Sequence, residues 1–272
     1  MRIMLALAIG ISAIAFPAHL PSQPAAVETA EDARFEAFGD RVVDEYLKLD
    51  PVTATQVGEH RYDALLPDVS AEGRAARRAF AGRSLAELSR FDRARLNREH
   101  QVHAILLTDQ LNYLLFSDGR LQDWSWDPLT YSYAAGGSLF TLQSREFAPL
   151  AERLRSATGR LEALPTYLEQ SRSSLDPARV PRIHAETAAK QNAGLNSLIA
   201  RSLAQKGALP APDQARLEQA AAKAKAALAA HQACRDKELV PNGKGKERIC
   251  AALYEEKLRL ALNSPLSRQD IR

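Results

Sequence analysis

Glu99, His100 and His103 form the densest cluster of side chains in this sequence that could bind a metal ion. His100 and His103 are three residues apart, so they share one face of a helix. Helices that bind zinc with two histidines and a glutamate base space the histidines four residues apart, and this cluster departs from that pattern. His184 and Glu186 form a weaker pair, because residues two apart on a helix point to different sides. We interpret the cluster as the polar edge of a helix, and we predict neither a catalytic residue nor a metal site.

Two other groups of side chains could line a cleft. His60 follows Glu59 in a polar run, although a histidine satisfied within its own turn is the simpler interpretation. Aromatic and hydroxyl groups also gather just before Gly136 and Gly137, where they could face a peptide substrate or anchor a loop on the core. The candidate cleft-lining residues are His60, Trp126, Asp127, Tyr131 and Tyr133.

The charge pattern and the missing motifs exclude several function classes. The 36 Lys and Arg residues nearly balance the 33 Asp and Glu residues, with the two signs mixed along the chain. The basic run Lys244–Arg248 contains a glycine and no aromatic residue, which is typical of a solvated loop and not of a nucleic-acid site. Neither a glycine-rich phosphate loop nor a serine nucleophile motif is present. We therefore expect no nucleic-acid partner and no cofactor in this chain.

The amino-terminal residues predict export from the cell. Arg2 precedes a short apolar run from Met4 to Phe16, and prolines and small residues follow it. This order is typical of a secretory signal peptide, and the run is too short to span a bilayer. A buried amino-terminal helix is the alternative. We predict a signal peptide over residues 1–26, no membrane span after its removal, and a periplasmic or secreted protein.

Export changes how the two cysteines, Cys234 and Cys250, are interpreted. An even pair in an oxidising compartment favours a disulfide, and glycines and a proline between the two predict a turn between helices. Closing about 16 residues would stabilise the fold by roughly 3 kcal/mol. Two free thiols are the alternative, and a metal site would need more ligands than these cysteines and His231 supply.

Apolar residues recur at helical spacing along nearly the whole chain, which predicts an all-α fold. We expect an array of antiparallel helices in one domain over residues 27–272. Residues 97–116 are apolar almost all round, so that helix should be central. An irregular aromatic and glycine loop should span 117–137, Pro165 should kink or split its helix, and Ser264-Pro265 should begin another. The expected helices cover 29–49, 70–90, 97–116, 147–168, 182–205, 212–239 and 247–262.

Six segments in order resemble the amino-terminal half of the bacterial family called domain of unknown function 885. They are DPVTATQVGEHRYD at 50–63, WDPLTY at 126–131, REFAPLAERL at 145–154, LEALPTYLEQSRSSL at 161–175, ETAAKQNAG at 186–194 and LYEEKLRLAL at 253–262. The resemblance implies an exported protein related to zinc metallopeptidases. In that family the zinc-binding His-Glu-x-x-His helix lies in the carboxy-terminal half, and these 272 residues contain no such motif. Zinc is therefore expected only in full-length relatives.

Two functions follow as hypotheses. In the first, the chain is a non-catalytic helical half of a zinc-metallopeptidase-like protein, which forms a cleft wall and a packing surface for a catalytic half. Its partners would be that half or a second copy of the chain, with a peptide as substrate of the complete protein. In the second, it is a free-standing periplasmic helical binding or interaction protein. A bare apolar face would favour the first, because a free-standing protein has no reason to expose one.

Overall fold

Three capped helices build a phenylalanine-rich core in the amino-terminal part of the structure, a computed structural model that describes residues 29–262 and 266–271. They are α1 (Ala30–Leu49), α3 (Ala71–Leu88) and α4 (Arg98–Phe116). Each starts at a side chain that accepts a backbone N–H from its first turn, namely Thr29, Ser70 and Asn97. The core residues are Phe35, Phe38, Val42, Phe80, Ala81, Leu88, Phe91, Leu96, Ala104 and Leu111.

A short helix, α2 (Pro51–Val57), connects this core to the rest of the chain. Asp50 caps it by accepting from the Thr53 backbone N–H at 3.1 Å, and Pro51 occupies the first turn, where its missing N–H is harmless. Gly58 ends the helix at a φ of 91°, a conformation that favours glycine. The chain then crosses through residues 59–69 to α3.

Four longer helices build the second and larger core. They are α5 (Pro128–Ser144), α6 (Leu150–Ser174), α7 (Arg182–Ala204) and α8 (Ala211–Cys234), with α6 against α8 and α5 against α7. The helix predicted over 147–168 is present as α6, and its Leu154, Leu161, Leu164 and Leu168 are almost completely buried. Helix α6 runs unbroken through Pro165, so the predicted split is wrong. Packing along both flanks of α6 outweighs the roughly 3 kcal/mol that an interior proline costs.

The all-α prediction is confirmed for residues 29–262 and 266–271, which contain no β-strand. The predicted signal peptide at 1–26 and the helix start at Ser264-Pro265 lie outside the described residues. In the part of the chain that is described, no helix combines the length and hydropathy needed to cross a membrane.

The predicted loop over 117–137 is mostly helical instead. A π-helical turn (Ser117–Leu121) and a 3-10 turn (Asp123–Ser125) lead directly into α5, which begins at Pro128 and contains both Gly136 and Gly137. Asp127-Pro128 is therefore a helix start and not a loop signal, because Asp127 caps the helix. The face of α5 that packs in the second core outweighs the low helix propensity of its glycines.

Both cysteines are free, so the predicted disulfide is not formed. Helix α8 does not end in a turn after Cys234; it continues through a π-helical turn (Arg235–Leu239) into α9 (Val240–Asn242). The following residues cross the start of α7, where the Gly245 N–H donates to the Val180 carbonyl at 3.0 Å, and α10 (Ala251–Leu262) begins beyond them. Cys250 is exposed at the far end of this crossing, and the Cys234 thiol donates to Glu238 at 3.6 Å instead.

Helix α4 is not surrounded by protein, contrary to the prediction from its all-round apolar sequence. It packs on α1, α3 and α10, yet Val102, Ile105 and Leu106 are 39%, 47% and 45% exposed. We call these three residues the α4 apolar face. Periodicity shows that a helix is apolar on all sides but does not show what covers each side, and no other part of the described chain covers this one.

One guanidinium links α2, α5 and α6. Arg160 on α6 is 1% exposed, and its Nε donates to the Leu65 carbonyl at 3.1 Å. Its terminal nitrogens donate to the Pro51 and Ser138 carbonyls and to Thr55 Oγ1. Burial lowers the pKa of Arg160 to about 10, and Asp63 and Asp50 oppose that shift, so the group is charged at neutral pH.

The polar run near residue 60 completes the network around Arg160. Thr55 Oγ1 donates to Asp63 Oδ1 at 2.6 Å, and His60 Nδ1 lies 3.0 Å from Asp63 Oδ2. Asp63 is 5% exposed, so its charge is buried close to that of Arg160 with one hydroxyl between them. We call these four residues, Arg160, Thr55, Asp63 and His60, the Arg160 network. Its hydrogen bonds hold α2 and the turn after it against α6, so these polar residues have a structural role.

We predict that Arg160→Met destabilises the chain by about 3–5 kcal/mol, because it leaves three buried carbonyls and Thr55 Oγ1 without their donor and Asp63 without a positive charge nearby. Chemical denaturation followed by circular dichroism measures the loss. Arg155→Met on the same helix is the matched control, since Arg155 is an exposed partner of Asp213 and its loss should cost less than about 1 kcal/mol. Equal losses of unfolding free energy in the two variants would contradict a structural role for the Arg160 network.

A second polar contact ties α1 to the start of α4. Asp32 is buried and accepts from the Asn97 N–H and from His100 Nδ1, both at 2.8 Å, while Thr29 donates to it from backbone and side chain. The Asn97 N–H is the main cause that holds the pKa of the Asp32 carboxyl well below its usual range; burial opposes this, and Thr29 and His100 add to it.

Because the folded pKa of Asp32 is lowered, its contribution to stability is present above its ordinary pKa of 3.8 and is lost as the pH falls further. We predict that wild type is more stable than Asp32→Asn at pH 7 and that the gap narrows as the pH falls below about 4. Urea denaturation at a series of pH values measures this gap. Asp40→Asn, on the exposed side of α1, should reproduce the wild-type profile, and a gap that is constant with pH would refute the assignment.

Candidate functional site

The structure does not assemble the metal-ligand candidates into a site. His100 Nδ1 is engaged by Asp32, its ring lies 6.2 Å from that of His103, and Glu99 is exposed. Within residues 29–262 and 266–271, no three His, Cys, Asp or Glu side chains are placed to hold a metal ion. His100 therefore links α4 to α1 through its hydrogen bond with Asp32. Sequence analysis does not detect this role, because Asp32 lies 68 positions away.

His60 lies in the turn after α2 and belongs to the Arg160 network. Its ring stacks on Phe147, with centroids 3.7 Å apart and planes 9° from parallel. Asp63 holds Nδ1 at 3.0 Å, which fixes the ring in this orientation. The other face of the ring remains accessible, since the side chain is 36% exposed. A cleft-lining role for His60 stays a prediction, and its observed contacts are structural.

Asp127 and His184 form a partly exposed pair where α5 and α7 begin, which we call the Asp127–His184 site. Asp127 Oδ1 accepts from His184 Nδ1 and from the Leu129 backbone N–H, each at 3.1 Å. The two side chains are 22% and 25% exposed. The Trp126 ring lies 6.0 Å from the histidine ring and is fixed by donation from its Nε1 to the Leu121 carbonyl at 2.9 Å.

The Asp127–His184 site has a defined hydrogen-bonding chemistry. A carboxylate that accepts from Nδ1 selects one tautomer of neutral histidine and leaves Nε2 as an acceptor. Such a group can accept a hydrogen bond or a proton from a peptide, and Trp126 supplies an apolar wall beside it. The sequence pairs His184 with Glu186, but Glu186 binds Arg182 at 2.9 Å. Nothing in the sequence signals the true partner, because Asp127 is 57 positions away.

The two tyrosine candidates on α5 point in different directions. Tyr131 is 4% exposed, its hydroxyl donates to the Trp124 carbonyl at 2.6 Å, and burial raises its pKa to about 12. It anchors the turn that carries Trp124 and Trp126 from inside. Tyr133 is 63% exposed two residues later, so it can contact a partner or substrate while Tyr131 cannot.

An open groove of about 740 Å³ runs between α7 and α8, and the sequence gives no sign of it. Its walls carry charges of both signs and several amides, from Glu186, Lys190, Asn196, Lys225, Gln232 and Asp236. Mixed charges over a shallow surface favour a polar ligand or peptide over a buried apolar one.

The chain resembles a solved structure over most of its length. No curated protein matches its sequence. A "putative lipoprotein of unknown function" from Shewanella oneidensis superimposes with a TM-score of 0.80 at 25% identity, over 87% of this chain and 44% of that one. The chain thus spans less than half the length of that protein. The model of the family described as bacterial protein of unknown function (DUF885) matches residues 51–272, and the chain therefore belongs to this family.

Proposed function

We propose that this chain is the non-catalytic helical half of an exported zinc-metallopeptidase-like protein. In this proposal it forms one wall of a substrate cleft and offers a packing surface to a catalytic half. That half would hold the zinc, either on the same polypeptide in relatives or as a separate partner. The metallopeptidase relationship comes from the family resemblance of the sequence, and the proposal assigns no catalytic step to the residues of this chain.

The α4 apolar face is the observation that carries the proposal. A helix with Val102, Ile105 and Leu106 each about 40–50% exposed leaves adjacent branched side chains in water, and burying each would contribute about 1 kcal/mol or more. Contiguous apolar surface on a folded protein typically marks an interface. The first hypothesis predicts such a surface, and a free-standing protein has no need of it.

The comparison with the Shewanella oneidensis protein supports the proposal in two ways. The Shewanella oneidensis protein extends well beyond the fold shared with this chain, since this chain covers 44% of it, so a further portion exists there that could pack on a homologous surface. That protein is described as a lipoprotein, which supports export for this chain. A periplasmic or secreted location remains part of the proposal.

The Asp127–His184 site and Tyr133 would form the cleft wall. They are the exposed or partly exposed polar and aromatic groups of the candidate set, and Tyr131 anchors the turn before Asp127 from inside. A rigid wall suits peptide binding, because the groups that contact the substrate lose little freedom on binding. His60 would join this wall only through the exposed part of its ring.

The alternative, a free-standing periplasmic binding protein, has one observation in its favour. The groove between α7 and α8 is large enough for a short polar ligand and requires no second half. This alternative predicts a monomer whose α4 apolar face is functionally silent. Whether the α4 apolar face takes part in association in solution therefore distinguishes the two functional hypotheses.

We predict that the double variant Ile105→Lys/Leu106→Gln lowers self-association and binding of the dye ANS while leaving the melting temperature within about 2 °C of wild type. The reason is that these side chains contribute to an interface and not to the core. Sedimentation velocity and dye fluorescence measure the two effects. Ile183→Lys is the matched control, because Ile183 is a single apolar side chain that is 51% exposed elsewhere, and it should change neither. Identical sedimentation and fluorescence in wild type and double variant would favour the alternative.

We also predict that the purified chain hydrolyses no peptide and carries no stoichiometric zinc. A mixed peptide library analysed by mass spectrometry, with and without chelator, measures the first, and elemental analysis of the protein measures the second. Catalysis by a zinc-bound water needs three protein ligands around the metal, and the described residues bring no such set together. Hydrolysis that a chelator abolishes, together with one bound zinc per chain, would overturn the proposal.

A further inference from the structure

A small cavity lies inside the second core, among α5, α6, α7 and the start of the π-helical turn after α8. Its volume is about 20 Å³, which is room for one water molecule or one monatomic ion. Unlike the apolar core around it, the lining combines apolar side chains with several polar ones. The polar groups come from Tyr131, Ser132, Gln191, Asn192, His231 and Arg235.

Two buried side chains in this lining have nitrogens without partners. His231 is 1% exposed, and neither ring nitrogen has a hydrogen-bond partner among the described residues. Arg235 is 3% exposed and donates to the Ala188 carbonyl and to Ser132 Oγ, while its Nε remains unpaired in the same part of the chain. Buried polar groups nearly always have partners, so these nitrogens indicate a ligand that completes them.

The electrostatic surroundings of the cavity are positive. Arg172 on α6 also has a buried nitrogen, Nη1, without a partner, and neither Arg172 nor Arg235 has a carboxylate within ion-pairing distance in the described ranges. Burial, and then Arg235 and Arg172, lower the pKa of His231 to about 3, so its ring is neutral and supplies one N–H donor. Burial lowers the pKa of Arg235 to about 10, which leaves it charged at neutral pH. Asp236, the carboxylate that acts on Arg235, is itself exposed.

We propose that this cavity binds a small monovalent inorganic anion of the chloride type, held by Arg235 Nε–H and one ring N–H of His231. The positive charge of Arg172 strengthens the binding without direct contact. The anion would link the end of α8 to α5 and α7, the two helices at whose starts the Asp127–His184 site lies.

An anion compensates the unpaired donors and the positive charge at this cavity better than a water molecule does. A water accepts hydrogen bonds from these donors but leaves the buried positive charge of Arg235 uncompensated, and uncompensated buried charge costs several kcal/mol. A chloride ion accepts from both donors and supplies the opposite charge. The volume matches a single water-sized species, which favours a monatomic anion over a larger one.

The test is the melting temperature of the chain in sodium chloride compared with sodium gluconate at constant ionic strength. Gluconate is too large for the cavity, so only chloride should stabilise the fold through it. The expected result is a saturable rise of about 3–6 °C at a chloride concentration ten times the dissociation constant. Overlapping curves for the two salts would overturn the proposal.

His231→Phe, which fills the cavity and removes its donor, should abolish the difference between the salts. Arg216→Gln is the matched control on α8, because Arg216 is exposed and paired with Glu162, and it should keep the wild-type difference. A chloride response that survives His231→Phe at full size would place the ion elsewhere and refute the site. If that variant does not fold, wild-type crystals in sodium bromide decide: an anomalous peak beside Arg235 Nε and His231 supports the proposal, and a peak absent from the cavity overturns it.

Discussion

The buried guanidinium of Arg160 is the contact on which the arrangement of this fold depends. It donates hydrogen bonds to the carbonyl at the start of α2, to a carbonyl in the middle of α5 and to one in the crossing segment 59–69. These three parts of the chain therefore contact α6 at the same side chain. Thr55 and Asp63 complete the network and compensate the charge. A buried cation without these acceptors would be strongly unfavourable, so the network specifies one arrangement of these elements. Three residues of the polar run, Thr55, His60 and Asp63, belong to this network.

Buried arginines recur as links between the two cores. Arg74 on α3 donates to Ser174 on α6 and lies 4.0 Å above the Trp124 ring, which joins the phenylalanine-rich core to the turn before α5. Within the second core, the buried Arg153 on α6 donates to carbonyls at the end of α5 and just beyond it. With the cores joined in this way, the Asp127–His184 site is held on a rigid frame, while the α4 apolar face lies on the first core. The proposed wall and the proposed packing surface are therefore parts of one braced unit.

Features that depend on neighbouring residues can be predicted from this sequence, and features that depend on distant residues cannot. Helix starts depend on residues within one turn, and the helices predicted from residues 29, 70 and 97 do begin there, at the caps Thr29, Ser70 and Asn97. The pairing of Asp127 with His184 depends on residues 57 positions apart, and no local pattern encodes it. The exposure of α4 depends on what covers the helix, which its own periodicity does not contain. The disulfide prediction is wrong because the chain remains helical past Cys234, where the sequence predicted a turn.

Native-state hydrogen exchange of the amides in α2 tests the central claim, that a buried network makes this chain a rigid frame. A helix of seven residues has almost no stability by itself, so any protection of its amides must come from the contacts that hold it. The account predicts that these amides exchange only through unfolding of the whole domain, with the same free energy as the core amides of α6. Exchange of α2 through local opening, at a free energy far below that of α6, would contradict it.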